Sequence, residues 1–185
     1  SSFINHKNFT FKISDFDIEN FWNKKKQKDL DNLNSFYWLS LINRKNDGQA
    51  IQKIISLWID KNKIYKKKIW RNSIVSKRII SWILNADIIL NNTNLYFKES
   101  FFQSITVQVN HLKKSLHSEH NLPKKIEIIS AILLTGLVFK EFNSNFNMSI
   151  KELKKIVNDF FDKDGFPLNR NIYEKSHHLL VIYFS

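Results

Sequence analysis

The residues able to do chemistry are few and thinly spaced. His177 and His178 are adjacent, so on a helix they point to different faces. His117 and His120 stand three apart with Glu119 between them, where a loop is expected to begin. Neither grouping has the His-Glu-x-x-His spacing that sets two imidazoles around zinc, so no metal site and no cofactor is expected. The absence of cysteine removes thiolate ligands, disulfides and a Cys nucleophile. There is no glycine-rich phosphate loop and no Gly-x-Ser-x-Gly elbow. Asp162 and Asp164 flank a helix end, where capping and solvation account for them, and no carboxylate pair stands out at glycosidase positions. The aromatic residues say more. Trp22, Trp38, Trp58, Trp70 and Trp82 all lie in the first half of the chain, and Trp38, Trp58 and Trp82 fall on periodic apolar faces, which predicts core packing. Trp70 sits in the polar stretch Lys66-Lys67-Lys68-Ile69-Trp70-Arg71-Asn72, just before a helix. A Trp beside cations can stack on a sugar ring while the cations hold carboxylates or sulfates. It can equally anchor a loop onto the fold, and both readings stand at this point.

The elements that must position these groups are helical. The 185 residues suffice for a real core, and 43% are apolar. Three glycines and two prolines are too few for many tight turns, which favours long helices. Residues 1–28 read as an N-terminal arm, with a brief alternation at Phe9, Phe11, Ile13 and Phe16 and a solvated run Lys24-Lys25-Lys26. From Asp29 onward the helical period dominates. Phe36, Leu39 and Ile42 share one face; Ile51, Ile54, Ile55, Trp58 and Ile59 fill the i, i+3, i+4, i+7, i+8 template, and Asn46-Asp47-Gly48 separates the two. Val75, Ile79, Trp82 and Ala86 mark a third helix, and Phe101, Ile105, Val109, Leu112 and Leu116 a fourth. A fifth opens near Pro123 and is apolar nearly all round. Leu153, Ile156, Val157, Phe160 and Phe161 mark a sixth, with Ser149 and Glu152 as a capping box and Asp164-Gly165 as its stop. A seventh begins near Ile172. Links of roughly 4–10 residues make sequential helices antiparallel neighbours, so the fold class is all-α, either a closed α/α toroid or an irregular bundle.

The formal net charge is +12, and only Arg44, Arg71, Arg78 and Arg170 among the 29 basic residues are arginine. Such a balance suits an acidic partner, such as a polyanionic glycan or nucleic acid. It is also what an AT-rich genome produces, since Lys, Ile and Asn are all abundant here. Specific anion recognition usually uses the Arg fork, which is scarce here, and nucleic acid is the weaker partner. No apolar run approaches the ~20 residues of a membrane span. The longest, Ile126 to Phe139, is broken by Glu127, Ser130, Thr135 and Gly136. Both ends are expected to be cut, because the chain opens at Ser1-Ser2-Phe3 and closes inside an apolar pattern at Val181-Ile182-Tyr183-Phe184.

Three blocks of sequence go together. The first runs Phe36-Tyr37-Trp38-Leu39, Trp58-Ile59, Trp70 and Lys77-Arg78-Ile79-Ile80-Ser81-Trp82. The second is Gln108-Val109-Asn110-His111-Leu112, followed by Ala131-Ile132-Leu133-Leu134-Thr135-Gly136-Leu137. The third is Asp164-Gly165-Phe166-Pro167-Leu168-Asn169-Arg170-Asn171. In order and spacing they resemble the N-terminal helical domain of the heparinase II/III-like family of bacterial polysaccharide lyases. The resemblance implies that residues 29–185 form an incomplete α/α toroid of helical hairpins, normally followed by a β-sandwich domain that lies outside this sequence. It also implies β-elimination on, or binding of, an acidic, uronate-containing polysaccharide. In that chemistry an Asn or Arg neutralises the uronate carboxylate while a Tyr or His removes the α-proton. Carried onto this sequence, Trp70, Arg78 and Arg170 are the expected groove residues, and His120, Asn121 and Tyr173 the expected catalytic ones. The chain departs from the family pattern at Glu119-His120-Asn121-Leu122, which reverses the family's Asn-His order and lacks its Gly; a capping turn explains His120 and Asn121 equally well. Phe166, Pro167 and Ile172 stand where the family has Gly, His and Pro. A basic helical nucleic-acid- or anion-binding module, and a toroid scaffold without chemistry, are the other two readings.

Overall fold

The computed structural model describes residues 3–6, 9–12, 27–166 and 168, with side chains from residue 30 onward. Two short strands, β1 (Phe3–His6) and β2 (Phe9–Lys12), pair antiparallel with Phe3 opposite Lys12 and His6 opposite Phe9. The arm expected over residues 1–28 therefore contains a hairpin. All other regular structure among the described residues is helical: α1 (Gln27–Ser35), α2 (Gly48–Lys61), α3 (Asn72–Leu84), α4 (Ala86–Leu90), α5 (Leu95–Leu116), α6 (Leu122–Val138) and α7 (Asn143–Phe160). The 3-10 turns Tyr37–Leu41 and Lys140–Phe142 lead out of α1 and into α7. The all-α class expected from the periodicity is what the structure shows. The chain divides into two compact units, residues 1–110 and 111–185, so the division falls within α5.

In the first unit the apolar stripe of α2 is buried as the template requires: Ile51, Ile54, Ile55, Trp58 and Ile59 all lie in the core. Trp58 and Trp82 meet edge to face with ring centres 5.4 Å apart, and Phe36 packs against both at 5.9 and 5.4 Å. Phe101 from α5 closes the cluster on Trp82, also at 5.4 Å. Edge-to-face contact suits rings with an electron-rich face and a positive edge, and it adds to the area these side chains remove from water.

Two expected helices are each interrupted. The face Phe36, Leu39 and Ile42 is not one helix, because Phe36 takes a left-handed conformation (φ 56°) and the chain continues as a 3-10 turn. That conformation is costly for a bulky residue. It is held because the ring is fully buried and its carbonyl accepts bonds from Leu39 N (2.9 Å) and Ser81 Oγ (2.6 Å). The third expected helix stops at Leu84, and Ala86 belongs to α4. Asn85 stands between them, donating to Ser81 O at 2.8 Å and accepting from Arg44 at 3.0 Å.

In the second unit α6 and α7 form a helical hairpin. Pro123 lies in the first turn of α6, as expected, and Ile126, Ile128, Ile129, Ala131 and Ile132 are buried. Gly136 lets the backbones close: a Cβ there would collide with the backbone of Phe146. The capping box at Ser149 and Glu152 is not formed. Helix α7 begins at Asn143, which leaves Ser149 buried inside the helix, while Glu152 accepts a bond from Lys155 at 2.7 Å. The helix stops before Asp164-Gly165 as expected. Gly165 adopts φ 81°, and Asp162 Oδ1 accepts from the backbone of Asp164 (3.0 Å) and Phe166 (2.8 Å). The helix expected from Ile172 lies outside the described residues.

Candidate functional site

A pocket of about 240 Å³ opens in the first unit between the end of α2, the turn Lys66–Trp70 and the first half of α5. Its α5 wall is a second stripe beside the buried one. Phe97, Phe101 and Ile105 face the core, whereas Tyr96, Ser100, Gln103 and Val107, spaced i, i+4, i+7, i+11, line the pocket together with Ser104. The opposite wall is the C-terminal end of α2. Asn62 closes that helix through its backbone N–H to Trp58 O (3.0 Å), and its side chain donates to the same carbonyl at 2.9 Å. Lys63 follows, exposed and paired with Asp60 at 2.9 Å; the hydrogen bond to that carboxylate raises its pKa above the ordinary lysine value.

Trp70 forms the floor. Only 5% of it is exposed, so the indole anchors the Lys66–Trp70 turn and shows the pocket only a small part of its surface. The turn is closed by Ile69 N and Trp70 N, both donating to Lys66 O at 2.9 Å, and by Lys66 Nζ donating to Lys61 O at 2.8 Å. The exposed aromatic ring in the lining is that of Tyr96, while Tyr65, outside the lining, packs on Trp70 with ring centres 6.0 Å apart. Of the two readings of Trp70, the loop anchor describes its burial, and its place in the pocket floor keeps it within the candidate site.

Arg78 is not an exposed groove residue. Its side chain is fully buried in α3, where Nε donates to Gln108 Oε1 (2.6 Å) and Nη1 to Asn34 O (2.9 Å) and, at the long limit, Ile69 O (3.4 Å). The guanidinium carbon lies 4.1 Å from the centre of the Trp58 ring, a cation–π stack. Trp58 in turn donates through Nε1 to Asn34 Oδ1 at 2.7 Å. Burial pushes the Arg78 pKa down to about 9, which leaves it charged at neutral pH. The groove position expected of this arginine came from the family resemblance of the block Lys77–Trp82. Its acceptors are two backbone carbonyls and an amide from distant segments, which no local pattern reveals.

In the second unit, His120 and Asn121 lie in the exposed turn before α6. Asn121 is the N-cap of that helix: its side chain accepts from Lys124 N at 3.1 Å, and its own N–H donates to Glu119 Oε1 at 3.0 Å. These are the bonds of a helix N-cap. Arg170 and Tyr173 lie outside the described residues. No group of three or more His, Asp or Glu side chains placed to hold a metal ion occurs among the described residues. No helix among them is long and apolar enough to cross a membrane. Tyr96 and Gln108 were not among the expected site residues. The signal for Tyr96 was present in the second stripe of α5. No protein-family model, curated protein or solved structure matches the chain.

Proposed function

We propose that the first unit binds an acidic, uronate-containing polysaccharide, one sugar ring at a time, in the Trp70 pocket. The observation that carries this reading is the composition of that pocket. It offers an exposed phenol (Tyr96) and an apolar floor for a ring face, Ser100, Gln103 and Ser104 for hydroxyls, and the exposed Lys63 ammonium, which a carboxylate would share with Asp60. Its volume of about 240 Å³ falls below the roughly 300–1,000 Å³ typical of drug-sized ligands, a size suited to a single ring. In this reading the helices belong to an α/α toroid of the polysaccharide-lyase type, and the chain contributes glycan binding. β-Elimination would fall to His120, Asn121 or Tyr173 together with groups from a further domain.

The test is titration of the protein with uronate oligosaccharides from heparan and alginate, against a neutral glucan of equal length, followed by calorimetry at two salt concentrations. Binding of the uronates alone, weakening with salt as an ion pair requires, is the expected result. Equal binding of the neutral glucan, or no binding across the panel, overturns the reading. Ultraviolet absorbance of an unsaturated uronate, followed in the same samples, reports whether elimination accompanies binding.

A further inference from the structure

We infer that Arg78, acting with Gln108, is a positioning residue for the Trp70 pocket: the buried guanidinium sets where Trp70 and Ser104 stand. This rests on the pocket reading above but adds residues that do not line the pocket. Arg78 joins four segments at one point. It bonds α5 through Gln108, α1 through Asn34 O and the Lys66–Trp70 turn through Ile69 O, and it stacks on Trp58 of α2. Two of those links lead to the pocket. Ile69 is the residue before Trp70, so the bond to its carbonyl holds the peptide that carries the indole. Gln108 is oriented by the arginine. A guanidinium only donates, so the Gln108 oxygen must face it, and the amide nitrogen is thereby aimed at Ser104 Oγ, 3.1 Å away. Ser104 lines the pocket.

The choice of side chain supports a positioning role. A well-packed apolar residue fills buried space at less cost than a desolvated cation, and no carboxylate bonds this one among the described residues. Among the described residues the buried Arg78 Nη2 has no hydrogen-bond acceptor, so the network is not arranged for maximal stability. What the guanidinium alone supplies is a rigid fork that reaches the turn, α1 and α5 at once. A lysine keeps the charge and cannot span all three.

Two variants of the full chain separate this from a general structural role. Gln108→Glu retains an acceptor for Arg78 and gives it a counter-charge, but it removes the amide donor to Ser104. Arg78→Lys retains charge and loses the fork. The Trp70 indole N–H resonance, assigned by its loss in Trp70→Phe, reads the pocket floor without any ligand. The expected results are an unfolding midpoint for Gln108→Glu at or above wild type with roughly tenfold weaker uronate binding, and a Trp70 indole resonance displaced in Arg78→Lys. Gln108→Glu binding as tightly as wild type, or a Trp70 indole unmoved in Arg78→Lys, overturns the inference. Should the wild type bind no uronate, the proposed function fails while the indole resonance still decides the role of Arg78. Should Arg78→Lys not fold, uronate binding by Gln108→Glu decides: binding about tenfold weaker supports the positioning role and unaltered binding refutes it.

Discussion

Replacing Gly136 by alanine sets two effects of opposite sign against each other. Within a helix, Gly→Ala stabilises by about 1 kcal/mol through backbone entropy. At Gly136 the new methyl would fall on the backbone nitrogen of Phe146, 3.0 Å from Phe142 O and 3.1 Å from Phe146 Cα. All three atoms are main chain, so no flexible side-chain tip can give way, and α6 and α7 must move apart along a packed face. Overpacking of this kind costs about 1–3 kcal/mol, towards the upper end where backbone has to shift. The steric term wins, and Gly136→Ala should destabilise the second unit by about 1–2 kcal/mol net. Urea unfolding followed by circular dichroism measures this, with Gly48→Ala as the control. A Cβ at Gly48 meets only Ile88 Cγ1, at an ordinary 3.5 Å, so that variant should be neutral or slightly stabilised. A Gly136→Ala protein more stable than wild type by about 1 kcal/mol, the value helix propensity alone gives, would refute the close approach of the two helices.

Three further outcomes follow from particular contacts. Asn121→Ala should destabilise α6 by about 1 kcal/mol and Asn121→Asp should restore it, as caps do, and thermal melts decide this. Tyr96→Ala, at an exposed position, should leave the melting temperature unchanged and weaken uronate binding roughly fivefold, about 1 kcal/mol, by calorimetry; unaltered affinity would remove Tyr96 from the site. The hydrogen bond from Arg44 holds the Asp87 carboxyl below its usual range. A carboxylate with a lowered folded-state pKa adds stability above its unfolded pKa and loses it as pH falls through the folded value. Asp87→Asn should therefore flatten the acid limb of the stability–pH curve slightly, since the pair is exposed; an acid limb identical to wild type would show that the pair contributes nothing.

The readable parts of the fold are those where one short-range rule dominates. The stripe Ile51, Ile54, Ile55, Trp58 and Ile59 has a single helical solution, and Pro123 and Gly165 mark boundaries by backbone chemistry alone. Phe36 and Asn85 were not legible because their interruptions depend on partners far away in sequence: Ser81 bonding Phe36 O and Arg44 bonding Asn85. Ser149 and Glu152 carry the letters of a capping box, yet the turn at Lys140–Phe142 starts the helix at Asn143, ahead of them. For the site, Trp70 was singled out by its polar neighbours and does line a pocket, but its burial followed from the anchoring reading. Arg78 was singled out by the resemblance as a groove residue and is instead fully buried, because its partners Asn34 and Gln108 lie 44 and 30 positions away, where no local pattern shows them.

The Arg78 network also constrains the order in which the protein can be made. Asn34 and Arg78 are separated by 44 positions, and Gln108 follows Arg78 by 30. During synthesis the amino-terminal helices leave the ribosome with the cation and its stacking partner Trp58, but without the amide that accepts from Nε. Sealing that charge into the interior before Gln108 emerges would leave a desolvated donor unmet. The packing of the first unit around Arg78 is thus complete only once α5 has been made, because Gln108 supplies the acceptor for Nε.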